Sequence, residues 1–185
     1  MLKRYKLVSI VYGGSGAKYA KDFRDMILRR SEEERYPIAA KIVMESVLTG
    51  DLLQSITDLF TQTEFCLTIL TADDCCVVED KNVKRIRQNV VFELGMAVYR
   101  LGREKCILLS DFDPASGEVE LPSDLKGMDI KYFTEETRQQ VFEDVLDKIL
   151  QLSSAENNGF IPRYMKNPCR FVPAGISDLP YATTL

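Results

Sequence analysis

The 185-residue sequence predicts an α/β fold: a flavodoxin-like, five-stranded parallel sheet in the order 2-1-3-4-5, with helices on both faces. Short β-rich apolar runs alternate with amphipathic helical patterns five times along the chain. The third run, residues 65–71, is continuously apolar, as expected of a central parallel strand. Five such strands favour the flavodoxin-like order, and each crossover is expected to be right-handed.

The first two strand–helix pairs occupy the N-terminal third of the chain. Residues 7–12 are a β-rich run that ends in the glycine-rich segment 13–16. From Tyr19 onward, apolar residues recur at three- and four-residue spacing, which predicts the first helix. Residues 37–43 are the second strand candidate. The next helix opens at 50–51 and has its apolar side chains on one side.

The other elements follow the central strand. Residues 88–101 have a strong helical pattern, which Gly102 ends. Residues 105–110 and 129–133 are the fourth and fifth strands, and a last amphipathic helix covers about 135–152. In such sheets, ligands bind beyond the carboxyl ends of the strands. The residues expected there are 12–16, 44–50, 71–74 and 110–113.

A change in amino-acid composition divides the chain into a domain, residues 1–153, and a C-terminal extension, residues 154–185. The extension contains four prolines interleaved with Phe and Tyr residues. Its aromatic side chains favour docking onto another surface, and a loosely ordered tail is the alternative.

The composition excludes several kinds of chemistry. With no histidine, the chain has no Ser-His-Asp triad, no Cys-His pair and no His-ligated zinc. It also has no Cys-x-x-Cys pair, so no metal site is expected. The net charge of −4 argues against a nucleic-acid partner. No stretch approaches the ~20 apolar residues of a membrane span, and the irregularly spaced cysteines fit a reducing compartment, so we expect a cytoplasmic protein with no membrane partner.

The glycine-rich segment 12–16 joins the first strand to the first helix. It does not match the P-loop pattern, and the dinucleotide fingerprint would need a third small residue where Tyr19 stands. Backbone N–H groups at a helix N-terminus can nevertheless bind an anion. A tight turn with no ligand is the alternative.

Two adjacent acids, Asp73 and Asp74, follow the third strand at the edge where ligands are expected. They either bind ribose hydroxyls or cap a turn. The residues after them, beginning with Cys75 and Cys76, are expected to form a charged loop.

The helix over 88–101 contains the most informative residue, Glu93. On a helical wheel it lies at the rim of the core-facing stripe, where a carboxylate is partly desolvated and can reach a cleft. The alternative is a structural, salt-bridged glutamate. Phe92, Met96 and Tyr99 form a second apolar face on this helix. We expect either the C-terminal extension or another copy of the chain to cover it, and scattered surface apolar residues are the alternative.

Four motifs occur in order along the chain: TADD at 71–74, RQNVVFELG at 87–95, LGR at 101–103 and LPSDLKG at 121–127. Together they resemble the bacterial predicted nucleotide-binding proteins with a TIR-like domain. That family includes the TIR effector domains of cyclic-nucleotide-triggered antiphage systems, among them those fused to STING-type receptors. The resemblance covers about residues 5–152.

This resemblance implies a TIR fold and NAD+ glycohydrolase activity, with Glu93 as the catalytic residue and NAD+ as substrate rather than cofactor. It also implies activation by self-assembly through TIR–TIR contacts, in which the loop over 44–50 meets a neighbouring subunit, and a partner that could be a cyclic-nucleotide sensor. The residues expected to bind the substrate are Tyr12, Gly13, Gly14, Ser15, Gly16, Leu48, Thr71, Asp73, Asp74 and Asn89.

Two other functions remain open. The chain could be a non-enzymatic module that binds a nucleotide or signals by TIR–TIR contact. It could also be an enzyme like the nucleoside deoxyribosyltransferases, which share the sheet topology and a catalytic glutamate, although the run of motifs argues against this. NAD+ cleavage suits a chain without histidine, because nicotinamide departs as a neutral base and needs no general acid.

Overall fold

The computed structural model describes residues 6–33, 37–46, 51–78, 80–125 and 127–157. The five strands predicted for the main sheet and the helices predicted around them are present in this part of the chain. The strands are β1 (Lys6–Tyr12), β2 (Ile38–Ile42), β3 (Phe65–Leu70), β4 (Asp74–Val78), β5 (Lys81–Arg85), β6 (Cys106–Ser110), β7 (Val119–Glu120) and β8 (Ile130–Tyr132). The helices are α1 (Ala17–Glu33), α2 (Val43–Ser46), α3 (Leu52–Gln62), α4 (Gln88–Leu101) and α5 (Arg138–Asn157).

The main sheet has five parallel strands in the order β2-β1-β3-β6-β8. Counted along the chain within this sheet, that order is 2-1-3-4-5, so the predicted topology is confirmed. The central strand β3 is buried along its whole length, and so is β6 beside it. Their continuous burial explains why both strands are apolar without a polar alternation.

Helices cover both faces of this sheet, as predicted. Side chains of α1 and α5 pack with one face of the strands, and Phe23 and Phe142 meet edge to face there. Side chains of α3 and α4 pack against the other face. The apolar stripe predicted for the helix over 88–101 is confirmed, because Val90, Leu94, Ala97 and Leu101 are all buried.

The expected charged loop after Asp73 is wrong. Residues 74–78 and 81–85 instead pair as an antiparallel hairpin of β4 and β5, which β7 extends to a small three-stranded sheet. Asp80 adopts a positive φ of 61° between the two strands, a conformation that Asp tolerates better than most residues. Cys75 and Cys76 are therefore strand residues and not loop residues.

Several element boundaries differ from those predicted, and the clearest differences are in the second strand and the last helix. The second strand ends at Ile42, and Val43 begins the short helix α2. Helix α5 continues to Asn157 instead of ending near residue 152. Near its end, the Ser153 carbonyl accepts a hydrogen bond of 2.7 Å from Lys6 Nζ at the start of β1.

The predicted division at residue 153 therefore falls inside α5, and residues 158–185 of the extension lie outside the described residues. The division itself stays a prediction. None of the helices in the described ranges is both long and apolar enough to cross a membrane.

Candidate functional site

The predicted site residues gather at the carboxyl ends of β1 and β3, two adjacent central strands. The segment after β1 forms a single 3-10 turn, Gly14–Gly16, that leads directly into α1. The Ser15 backbone N–H donates a hydrogen bond of 3.0 Å to Asp73 Oδ1, and the Thr71 hydroxyl donates one of 2.6 Å to Asp73 Oδ2. We call this region the strand-edge cluster: Tyr12, Gly13, Gly14, Ser15, Gly16, Thr71, Asp73, Asp74 and Arg87.

Close packing explains the glycines of this cluster. A Cβ atom at Gly13 would overlap the side chains of Asp73 and Thr71. At Gly16 it would lie 3.3 Å from the Tyr12 Cβ atom, which is tight but less severe. The glycines therefore allow the turn to approach the residues that follow β3.

Asp73 is the electrostatic centre of the cluster, and its side chain is only 8% exposed. Burial raises the pKa of its carboxyl group, but hydrogen bonds from Ser15 and Thr71 and the charge of Arg87 together hold that pKa below its usual value. Asp73 is therefore ionised at neutral pH.

This arrangement bears on the prediction that the glycine-rich turn binds an anion. The N–H group of Ser15 is occupied by the protein's own Asp73 carboxylate. A substrate anion would have to use other donors of the cluster. Asp74 does not cap a turn here, because it is the first residue of β4 and its carboxylate lies 3.6 Å from Arg87 Nε.

Glu93 lies in the second turn of α4 and is 7% exposed. Burial raises the pKa of its carboxyl group to about 7. It is close enough to the buried Cys66 thiol of β3 to contribute to the raised pKa of that thiol. No hydrogen bond or ion pair joins the Glu93 carboxyl group to another described residue. Within that part of the chain, the salt-bridged alternative is therefore wrong.

The other predicted site residues are less closely connected. Asn89 is exposed in the first turn of α4, between Arg87 and Glu93. Within the described ranges, no hydrogen bond or ion pair joins Glu93 to the strand-edge cluster. Helix α4, which contains Glu93 and has Arg87 at its N-cap, connects the two. Leu48 lies outside the described residues, as does most of the loop over 44–50.

Sequence reasoning missed Arg87 as a candidate site residue. It stands at the N-cap of α4, and its guanidinium group lies against Gly14. Its place as the first residue of the RQNVVFELG motif was the available signal. The stronger indication is the contact between Arg87 and Gly14, which are far apart in sequence and meet only in the folded protein.

The second apolar face of α4 is only partly as predicted. Phe92 is 57% exposed and Tyr99 is 92% exposed, whereas Met96 packs partly against the core. A groove of about 490 Å³ lies beside Phe92 and contains none of the predicted substrate-binding residues. What covers Phe92 and Tyr99 stays a prediction.

Comparison with known proteins identifies the family. Residues 8–135 match the family model described as "CAP12/Pycsar effector protein, TIR domain". The chain belongs to this family. The resemblance inferred from the four motifs is thereby confirmed, and the domain is of the type found in TIR effectors of cyclic-nucleotide antiphage systems.

Named relatives match parts of this TIR domain. The chain is 40% identical over 76 residues to Pycsar effector protein PaPycTIR of Pseudomonas aeruginosa, covering 41% of this chain and 24% of that protein. It is 27% identical over 104 residues to CD-NTase-associated protein 12 of Sphingobacterium faecium, covering 54% of this chain and 31% of that protein. The matched part therefore spans only about a quarter to a third of the length of these curated relatives.

Two solved structures share the fold of this TIR domain. A prokaryotic SEFIR domain superposes with a TM-score of 0.51 at 15% identity, covering 78% of this chain and 98% of that one. The Flv1 flavodiiron core from Synechocystis sp. PCC6803 also gives a TM-score of 0.51, at 12% identity, covering 82% of this chain and 37% of that one. At these identities, the likeness shows the fold alone.

Proposed function

We propose that this TIR domain is an NAD+ glycohydrolase in which the Glu93 carboxylate stabilises the transition state. The observation that carries the proposal is the environment of Glu93: a buried carboxyl group with a pKa raised to about 7 and no hydrogen-bonding partner among the described residues. A buried carboxyl group whose pKa is raised by loss of solvent is a candidate catalytic residue, and this chain belongs to a family of TIR effectors.

The chemistry requires one carboxylate and no imidazole. Cleavage of the bond between nicotinamide and ribose releases a neutral pyridine and leaves positive charge on the ribose ring. An ionised Glu93 would stabilise that oxocarbenium-like charge and orient the ribose hydroxyls. Water then adds to the anomeric carbon and gives ADP-ribose and a proton.

Activation would depend on assembly. Phe92 and Tyr99 are exposed on the outer face of α4, and self-association would bury them. A cyclic-nucleotide sensor protein is the partner proposed to promote that association, because two of the relatives are named as Pycsar and CD-NTase-associated proteins. Activation by assembly suits a TIR effector in antiphage defence, because the enzyme would stay inactive until the sensor protein promotes association.

The deciding experiment measures nicotinamide release from NAD+ over a wide range of protein concentrations. Wild type, Glu93→Gln and a control, Glu104→Gln, are compared; Glu104 is an exposed acid just beyond the other end of α4. We expect the turnover of wild type to rise faster than linearly with protein concentration. Turnover should fall about 100-fold or more in Glu93→Gln and should persist in Glu104→Gln. Full turnover by Glu93→Gln would make the catalytic assignment wrong.

The experiment also separates the enzyme from a binding module. Wild type that binds NAD+ but releases no nicotinamide at any concentration, with or without a cyclic-nucleotide-activated sensor, would favour non-enzymatic nucleotide binding. In the assembled enzyme, Phe92→Ser and Tyr99→Ser should reduce the steep dependence on concentration without changing the isolated fold, because both side chains are exposed.

A further inference from the structure

Arg87 occupies a position that its own helix does not favour. It is the N-cap residue of α4, where side chains that accept hydrogen bonds from backbone N–H groups are preferred. An arginine has only donors, and its side chain makes no capping bond here. Its positive charge also lies at the positive end of the helix dipole. Residues that break a local rule in this way are often found at functional sites.

The guanidinium group lies flat on the glycine-rich turn. A Cβ atom built on Gly14 would be 3.0 Å from Arg87 Cζ, 3.0 Å from Nη2 and 3.2 Å from Nη1. These nearly equal distances show that the face of the guanidinium group, and not its edge, rests on the turn. This face-on contact leaves the N–H groups at the edge of the guanidinium group unobstructed by Gly14.

The charges around Arg87 leave those donors available. Among the described residues, Arg87 Nε forms long ion pairs with two acids, Asp73 at 4.0 Å and Asp74 at 3.6 Å. Neither distance gives a hydrogen bond, and the guanidinium group makes none with any other residue that the structure describes. Asp73 already accepts bonds from Ser15 and Thr71. With its side chain 51% exposed, Arg87 can pair with an anion from solution.

We propose that Arg87 binds the diphosphate group of the dinucleotide substrate at the strand-edge cluster. This rests on the proposed function, since it assigns a contact to the same NAD+ molecule that Glu93 would act on. A planar guanidinium group can form paired hydrogen bonds to phosphate oxygens. Arg87 precedes Glu93 by six residues, or about 9 Å along the helix axis. That separation suits a nucleotide whose ribose lies near Glu93 and whose phosphates lie near Arg87.

The test is equilibrium binding of ADP and of adenosine, which requires no cleavage. Wild type should bind ADP about 10- to 100-fold more tightly than adenosine, and Arg87→Asn should remove most of that difference. Arg100→Gln, which removes a charge from the last turn of the same helix, should leave it intact. Equal affinities of wild type for ADP and adenosine, or an unchanged ADP affinity in Arg87→Asn, would overturn the proposal.

Stability provides a control against a structural role. Asparagine is a favoured N-cap residue, and its capping bond should offset the attraction to Asp73 and Asp74 that the variant loses. Arg87→Asn should therefore keep the melting temperature within roughly 2–4 °C of wild type while it weakens ADP binding. An Arg87→Asn variant that melts well below wild type and loses as much affinity for adenosine as for ADP would assign Arg87 a structural role and overturn the proposal.

The contact between Gly14 and Arg87 allows a second, independent test. Gly14 has no positive φ, so its backbone accepts alanine, and the added Cβ would push against the guanidinium group. Gly14→Ala should therefore weaken ADP binding several-fold in wild type and cause no further loss in Arg87→Asn. Additive losses in the double variant would contradict the assignment, because neighbours that act through one contact are not additive.

Turnover distinguishes this proposal from the proposed function. Arg87→Asn should raise the KM for NAD+ by about the factor lost in ADP affinity and change kcat much less. A chain that binds ADP through Arg87 but releases no nicotinamide would overturn the activity and keep the Arg87 assignment. A chain that needs Glu93 for turnover but binds ADP equally well without Arg87 would overturn only the Arg87 assignment.

Discussion

Gly13 lies directly against the carboxylate of Asp73, and this contact joins the end of β1 to the end of β3. A side chain at position 13 would occupy the space of Asp73 Oδ2 and of the Thr71 hydroxyl. The same carboxylate accepts the hydrogen bonds from Ser15 and Thr71. The geometry of the strand-edge cluster therefore requires glycine at position 13 as well as the side chains of Asp73 and Thr71.

Gly13→Ala should consequently destabilise the protein. The added methyl group must displace the buried Asp73 side chain, and overpacking of this kind costs about 1–3 kcal/mol. Urea unfolding monitored by circular dichroism measures the change. Gly95→Ala is the matched control, because Gly95 is an exposed residue of α4 with no atom within 4 Å of the added Cβ. That change should stabilise the protein by about 0.5–1 kcal/mol. Equal effects of the two substitutions would contradict the contact.

Asp73→Asn should weaken the same cluster in a pH-dependent manner. The pKa of Asp73 is lower in the folded protein than its usual value, so its ionised form contributes stability at neutral pH. That contribution is lost as the pH falls through the folded pKa. At pH 7 the substitution should lower the free energy of unfolding by about 1–3 kcal/mol, and the difference from wild type should shrink below pH 4.

Urea unfolding at pH 7 and pH 3 checks this expectation. Asp124→Asn is a suitable control, since Asp124 is exposed in a 3-10 turn and forms no hydrogen bond or ion pair with the described residues of the cluster. A difference between Asp73→Asn and wild type that stayed constant between the two pH values would show that the charge of Asp73 is not responsible.

The main sheet and the position of Glu93 were predictable because both follow from local periodicity. The burial of β3 follows from its unbroken apolar run, and the core-facing stripe of α4 follows from a helical repeat. Even so, the wheel placed Glu93 at a rim, and only tertiary packing shows that it is 7% exposed.

The features that could not be predicted depend on contacts between distant residues. The hairpin of β4 and β5 was missed because its second strand, Lys81–Arg85, is dominated by charged residues and pairs with β7 from far along the chain. Arg87 was missed for a similar reason. Its distinguishing contact is with Gly14, and no sequence pattern around Arg87 indicates that these two residues meet.

Glu93→Gln should stabilise the protein at alkaline pH. Burial raises the folded pKa of Glu93 from an ordinary 4.5 to about 7, so the folded protein retains a proton that the unfolded chain releases. The free energy of unfolding of wild type therefore falls as the pH rises from about 4.5 to about 7. Glutamine cannot ionise, so the variant should be more stable than wild type by up to about 3 kcal/mol at pH 8 and similar to it at pH 4.

Chemical denaturation of the two proteins at several pH values measures this gain. Glu104→Gln provides the reference for an exposed acid and should show no such trend. A Glu93→Gln variant with the same pH dependence as wild type would indicate that Glu93 is not the group that titrates near pH 7.

The pH dependence of NAD+ cleavage should report the same carboxyl group from the catalytic side. If ionised Glu93 is required, kcat/KM for NAD+ rises with pH and levels off above about pH 7, because kcat/KM follows the free enzyme. Bound NAD+ brings a positive pyridinium ring near the carboxylate and favours its ionised form. The apparent pKa in the kcat profile should therefore be lower than that in kcat/KM. Steady-state nicotinamide release between pH 5 and pH 9 measures both profiles, and a kcat/KM that falls over this range would contradict a role for the ionised carboxylate.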